Sequence, residues 1–153
     1  MPHTTNLCLR RASSQDAPSI SWLAERCYAP WHRIMGIKPQ PLDADYHQII
    51  HQDEVWLSKA QSTPAASLVL RQELEHLLLW SITVLPSLNG RGIGNKLLDF
   101  TFERAKALEL MEVRLFTHVS MERNRTWYLR RGFEEIEPPP GQLGKLVAMK
   151  CAV

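Results

Sequence analysis

No stretch of this sequence is apolar for long enough to cross a membrane. Residues 1–6 also lack the apolar core of a secretory signal. The expectation is a cytoplasmic protein without a membrane partner. Cysteine is scarce and unpaired. Cys8, Cys27 and Cys151 are far apart and form no Cys-x-x-Cys motif, which speaks against both a zinc site and a disulfide framework. Reduced thiols are expected, with Cys27 as a core residue on an apolar helix, and no metal. An excess of one charge is missing too. Eighteen Lys and Arg against 16 Asp and Glu leave a net charge of +2, too little to argue for nucleic acid. The loose group Arg123, Arg125, Arg130 and Arg131 reads as a solvated helix face. No linker, repeat or low-complexity tract divides the chain, so one domain over 1–153 is expected.

Glycine is sparse as well, at seven residues, yet three of them fall at 90, 92 and 94. The apolar run 77–84 precedes them and a helical pattern over 95–108 follows, so a strand ends in a glycine turn that opens a helix. Gly90, Gly92 and Gly94 let backbone N–H groups converge with no side chain between them. At the positive end of a helix dipole such donors suit an anion such as a pyrophosphate, and Arg91 adds a charge. Two familiar nucleotide loops fail on spacing. Lys96 lies between Asn95 and Leu97, without the P-loop's glycine spacing or hydroxyl, and Gly-x-Gly-x-Gly is not the dinucleotide fingerprint.

The remaining pattern alternates short strands with helices. A strand is expected at 7–10, then a helix to about Tyr28 with caps at 13–16 and Pro18 in its first turn. Pro30, Gly36, Pro39 and Pro41 make 29–42 a loop or broken helix, after which Asp43 can cap a short helix through His51. Strands are expected at 55–58, 66–71, 74–84, 113–117, 133–136 and 145–150, with a helix at 122–131 stopped by Gly132. This order implies an α/β fold with a mixed sheet and helices on both faces.

From residue 7 to 150, the order and motifs resemble the GNAT superfamily of acyl-CoA-dependent N-acetyltransferases. Residues 79–94, Leu-Trp-Ser-Ile-Thr-Val-Leu-Pro through Gly94, are similar to the family's pyrophosphate loop, although Asn89 stands where Gln or Arg is usual. Residues 115–133 resemble its later strand–helix motif, with Asn124, Tyr128 one turn on, and Gly132-Phe133. Tyr28 to Gly36, Pro39, Pro41, Asp45-Tyr46 and Val55-Trp56 resemble a subset of bacterial-type members. The resemblance implies a mostly antiparallel sheet of six to seven strands and acetyl-CoA as cosubstrate. It implies a cofactor site made of Ile82, Val84, Asn89, Gly90, Arg91, Gly92, Ile93, Gly94 and Asn124. Tyr128 would then protonate the leaving thiolate, Asn124 would hold the pantetheine arm or adjacent backbone, and the Val84 N–H would polarise the thioester. A homodimer is compatible with the same resemblance.

The acceptor would be a primary amine of a small molecule, peptide or protein. Trp31, His32, Trp56 and Trp80 are candidates for its binding, since an aromatic wall with Met35 suits an apolar body better than a polyamine. The general base stays open. Glu73, Glu75 and His76 read as solvated charges at a strand start, His118 is another candidate, and water is a third route. Without a strand carboxylate in the usual place, an acyl-CoA-binding regulatory module is the alternative to an enzyme.

Overall fold

The computed structural model describes residues 7–140 and 145–153. Its elements run β1 (Arg10–Arg11), α1 (Ala17–Met35), α2 (Tyr46–Gln52), β2 (Glu54–Ala60), β3 (Thr63–Gln72) and β4 (Leu77–Val84). They continue with α3 (Ile93–Ala107), β5 (Glu112–His118), α4 (Glu122–Arg130), β6 (Glu134–Ile136) and β7 (Leu146–Ala152). The strands form one seven-stranded sheet in the order β1-β2-β3-β4-β5-β7-β6. Every pair is antiparallel except β4–β5. The expected α/β architecture of six to seven mostly antiparallel strands is therefore present.

Two apolar layers cover the two faces. Leu68, Leu70, Leu77, Leu97, Leu98, Leu115 and Met149 pack between the sheet and α3 and α4. Ile20, Leu23, Ile49, Val55, Leu57 and Val69 pack between the opposite face and α1 and α2. Strand alternation sorts each sequence into these layers: Val55 and Leu57 face α1, while Trp56 between them faces α3.

The start of α1 is fixed by Asp16. Its carboxylate accepts the Ser13 N–H at 2.8 Å and receives two Arg10 guanidinium bonds at 2.8 Å. The helix does not stop at Tyr28 as expected but passes through Pro30 to Met35. An interior proline removes one backbone bond and kinks a helix without having to end it. The end comes at Gly36, where φ is 73° and the N–H returns to the His32 carbonyl at 3.1 Å. The next helix is capped by Asp45 rather than Asp43: Asp45 accepts the N–H groups of His47 and Gln48, while Asp43 pairs with Lys38 at 3.3 Å. Strand β4 begins at Leu77 rather than at Leu74, which is 94 % exposed in a turn closed by the Glu73 N–H on the His76 carbonyl. Glu73, Glu75 and His76 therefore precede the strand and do not alternate within it.

Two irregularities shape the centre of the sheet. Val69 pairs with Ser81 but Leu70 pairs with Leu79, so Trp80 is one extra residue in β4. This bulge reverses the alternation: Leu77 and Leu79 face α3 before it, and Ile82 and Val84 after it. Beyond the bulge, β4 and β5 part. Their parallel ladder consists of Leu77↔Val113, Leu78↔Arg114 and Leu79↔Leu115 alone, and the rest of both strands diverges.

Candidate active site

The fork between β4 and β5 opens into a cavity of about 610 Å3. Ile82 and Val84 line one side, Phe116 and Thr117 the other. Helix α1 closes it with Cys27, Tyr28 and Trp31, and α4 with Arg123, Asn124, Trp127 and Tyr128. Its mouth is the turn from Pro86 to Asn95 that leads into α3.

The backbone of β4 gives the fork its polarity. In the β3–β4 ladder the Leu85 N–H donates to Ala65 at 2.8 Å, and Thr83 stands opposite Ser67. Antiparallel alternation then turns the N–H and C=O groups of Ile82 and Val84 away from β3, into the fork. Helix α1 reaches both carbonyls. The Tyr28 hydroxyl donates to Ile82 O at 3.2 Å and sits 3.2 Å from Ser81 Oγ, and the Cys27 thiol donates to Val84 O at 3.2 Å. With these acceptors engaged, the amide N–H groups of Ile82 and Val84 remain as the donors that edge presents.

At the mouth, Gly90 and Gly92 have φ of 81° and 77°, values that side chains rarely adopt. Gly92 is the N-cap of α3 with no side-chain cap, and the first intrahelical bond there runs from the Lys96 N–H to the Gly92 carbonyl. The N–H groups of residues 93–95 thus lack intrahelical partners at the positive end of a 15-residue helix. Gly94 is needed for a different reason. A Cβ there would stand 3.1 Å from Trp127 Cζ2, so its hydrogen-only side chain lets α4 pack against the start of α3. The Trp127 indole seals that contact by donating to Asn95 Oδ1 at 2.9 Å. Helix α4 is held further by Arg125 on Glu135 at 2.7 Å and by an ion pair between Arg131 and Asp99.

Asn124 and Tyr128, one helical turn apart, both reach the cavity. Tyr128 also packs against Trp127 and, edge-on, Phe133, with centroids 4.9 and 5.5 Å away, so it is at once a core aromatic and a cleft residue. Burial raises its phenol pKa above the ordinary value, and the nearby Tyr28 adds to the shift. Burial likewise raises Tyr28, and it pushes the Cys27 thiol up to about 11 against the smaller opposing effect of its bond to Val84.

Of the expected cofactor residues, Ile82, Val84, Asn89, Gly90, Gly92, Gly94 and Asn124 line the cavity. The Ile93 side chain is instead buried in the core, leaving its backbone at the helix start, and Arg91 is exposed outside the lining. Of the four aromatic or imidazole side chains expected to meet the acceptor, Trp31 alone is in the lining. His32 is exposed on α1. Trp80, the bulged residue, packs in the α1 layer with the Arg71 guanidinium 5.7 Å from its ring. Trp56 lies on the α3 face, edge-on to Phe100 at 4.8 Å and bonded to Glu54, because β2 alternation turns it from α1. Cys27, Phe116 and Arg123 were not expected in the site. Cys27, Tyr28 and Trp31 lie at helical spacing on α1, a signal that Pro30 masks by breaking the helical pattern between them.

His118 is buried and does not line the cavity. Its Nδ1 accepts the Ser120 N–H at 3.1 Å and lies 2.7 Å from Ser120 Oγ, while Nε2 is buried without a partner among the described residues. A backbone N–H can only donate, which puts the ring proton on Nε2. The Nδ1 lone pair is thus engaged by Ser120.

The site is thus a parallel fork in an otherwise antiparallel sheet, opening onto an uncapped glycine-rich helix start. Residues 17–133 match the Acetyltransferase (GNAT) family, and the chain belongs to that family. Solved structures share its fold at low identity. PaiA N-acetyltransferase from Thermoplasma acidophilum, in complex with coenzyme A, superposes with a TM-score of 0.81 at 16 % identity, covering 97 % of this chain and 100 % of that one. The ribosomal-protein-S18-alanine N-acetyltransferase of Escherichia coli gives 0.76 at 15 % identity over 95 % of this chain and 93 % of that one. A GNAT family acetyltransferase from Elizabethkingia anophelis with acetyl-CoA bound gives 0.71 at 16 %, over 97 % and 99 %. No curated protein sequence matches significantly.

Proposed function

We propose that the protein transfers an acetyl group from acetyl-CoA to a primary amine by direct attack, with Tyr128 as the general acid. The observation that carries this reading is the β4–β5 fork, which runs from the uncapped start of α3 to Tyr128. The donor set suits the cosubstrate. Free N–H groups at a helix start favour a pyrophosphate, and Asn124 and the β4 edge suit the amides of a pantetheine arm. Bound acetyl-CoA supplies an activated acyl carbon and a thiolate leaving group.

The protein's own groups then have distinct tasks. The Val84 N–H stabilises the negative charge that develops on the thioester oxygen as the amine lone pair attacks the carbonyl carbon. As the C–S bond breaks, the Tyr128 hydroxyl gives its proton to the leaving sulfur. The new amide nitrogen loses a proton to water, and Tyr128 regains one from solvent. With its pKa raised by burial, Tyr128 holds its proton at neutral pH and is present as the protonated donor when the sulfur departs.

Tyr128→Phe keeps the ring packing and removes the proton. Turnover, followed by thiol release, should fall by roughly 10²–10⁴-fold while coenzyme A affinity stays unchanged. Unaltered turnover in the variant would remove Tyr128 from the mechanism. A regulatory acyl-CoA-binding module, the competing reading, would show binding without thiol release even in the wild type.

A further inference from the structure

Every titratable group that lines the cavity carries its proton at neutral pH. Helix α1 contributes the Cys27 thiol and the Tyr28 phenol, and α4 contributes the Arg123 guanidinium and the Tyr128 phenol. The parts of β4, β5 and the glycine turn in the lining contribute none. Cys27 and Tyr28 are donors whose hydrogens are already given to Val84 and Ile82. Burial opposes ionisation of both, and Arg123 is a fixed cation. Nearby groups do not change this inventory. His118 has its Nδ1 lone pair occupied by Ser120, and His32 is exposed outside the lining. His76, Arg114 and Glu137 line a separate groove, on which Phe116 also borders. Residues 141–144 read Gly-Gln-Leu-Gly and contain no titratable side chain.

Such a cleft can give a proton to a leaving group but, among the described residues, has no lining group ready to take one from an incoming ammonium. A cation would also meet Arg123 without a carboxylate in the lining, among the described residues. Resting on the acetyltransferase reading above, we infer that the acceptor is a weakly basic amine that arrives already neutral. A peptide α-amino group or an aryl amine fits this chemistry, and an alkylammonium such as a lysine side chain or a polyamine does not. In the reaction the neutral nitrogen forms the bond to carbon, the sulfur leaves with the proton from Tyr128, and the proton released from the product nitrogen goes to water.

The size of the preference follows from acid–base equilibrium. At pH 7.4 an α-amine of pKa about 8 is roughly 20 % neutral and a lysine amine of pKa about 10.4 roughly 0.1 %, a ratio of about 200. The greater nucleophilicity of the more basic amine recovers part of this, which leaves at least about ten-fold.

The test measures kcat/KM by thiol release between pH 6 and 9.5 for four probes: a Phe-Ala dipeptide amide, Nα-acetyl-lysine amide, an aniline and spermidine. The dipeptide or the aniline should exceed the two alkylamines by ten-fold or more at pH 7.4, and their order tells a peptide terminus from an aryl amine. The rising limb of each profile should follow the acceptor, near pH 8 for the dipeptide, above 9 for the lysine derivative, and absent for the aniline. Equal or faster turnover of the lysine derivative or spermidine at pH 7.4 would overturn the inference. So would one rising limb shared by all acceptors, since it would belong to a base on the protein. Turnover of any probe leaves the acetyltransferase reading standing whatever the order. Failure of all four would end that reading and this inference with it.

Discussion

Gly94→Ala tests the packing that builds the mouth of the cleft. The added methyl would sit 3.1 Å from Trp127 Cζ2 and 3.3 Å from Cη2, so the indole must move by a few tenths of an ångström or more. Moving it strains the Trp127 bond to Asn95 and shifts one wall of the cavity. Overpacking of this kind costs about 1–3 kcal/mol, and the better helix propensity of alanine returns up to about 1 kcal/mol. The net loss of up to ~2 kcal/mol corresponds to a fall in melting temperature of up to ~8 °C for a domain of this size. Coenzyme A affinity should fall by about ten-fold, because the donors of residues 93–95 share a turn with the displaced contact. Thermal denaturation and isothermal titration read the two quantities separately. The decisive comparison is Gly94→Ala in a Trp127→Leu background, where the clash is gone and the substitution should cost little of either. If Gly94→Ala costs the same with and without the indole, the steric argument is wrong and the glycine serves the backbone alone.

Two further predictions rest on ionisation. With Cys8 and Cys151 changed to serine, alkylation of Cys27 by iodoacetamide should be slow. With a thiol pKa of about 11, only about one molecule in a thousand is thiolate at pH 8. The rate should rise about ten-fold per pH unit toward 11. Fast modification at pH 7 would contradict the burial argument. The Arg10 bonds hold the Asp16 carboxyl well below the usual carboxylate range. The folded pKa is depressed, so the stabilisation is complete above the unfolded value near ~4 and is lost as pH falls below it toward the folded value. Asp16→Asn should therefore lower stability by about 1–2 kcal/mol at pH 7 and by progressively less below pH 4, as read by urea denaturation. A gap between wild type and variant that does not change with pH would remove the charge from the explanation.

Sequence pattern located the elements well where periodicity and turn residues agreed, as in the strand–glycine–helix unit and in α4 with Gly132 at its end. It failed where a tertiary contact overrode a local signal. Pro30 is a strong breaker, yet α1 continues through it to Met35 and carries Trp31 over the cleft. The bulge at Trp80 is invisible because no glycine marks it; only the pairing of β3 reveals that Leu79 and Ile82 share a face. The aromatic character of Trp56 suggests a site residue, but alternation cannot say which of two buried faces a strand residue occupies. Gly94 was legible as important and not legible in its reason, which depends on a tryptophan 33 residues away.

A strand with unpaired amides is ordinarily a hazard, because another chain can add to it. The fork in this sheet places such an edge in the middle of the molecule, between β4 and β5, where α1 and α4 stand over it. A foreign β-strand would need a flat, open approach along its whole length, which the two helices deny. A narrow, flexible chain with amides of its own can still thread the gap. The same geometry that leaves this inner edge unpaired thus shields it from strand addition, and turns a liability of β-structure into selection by shape.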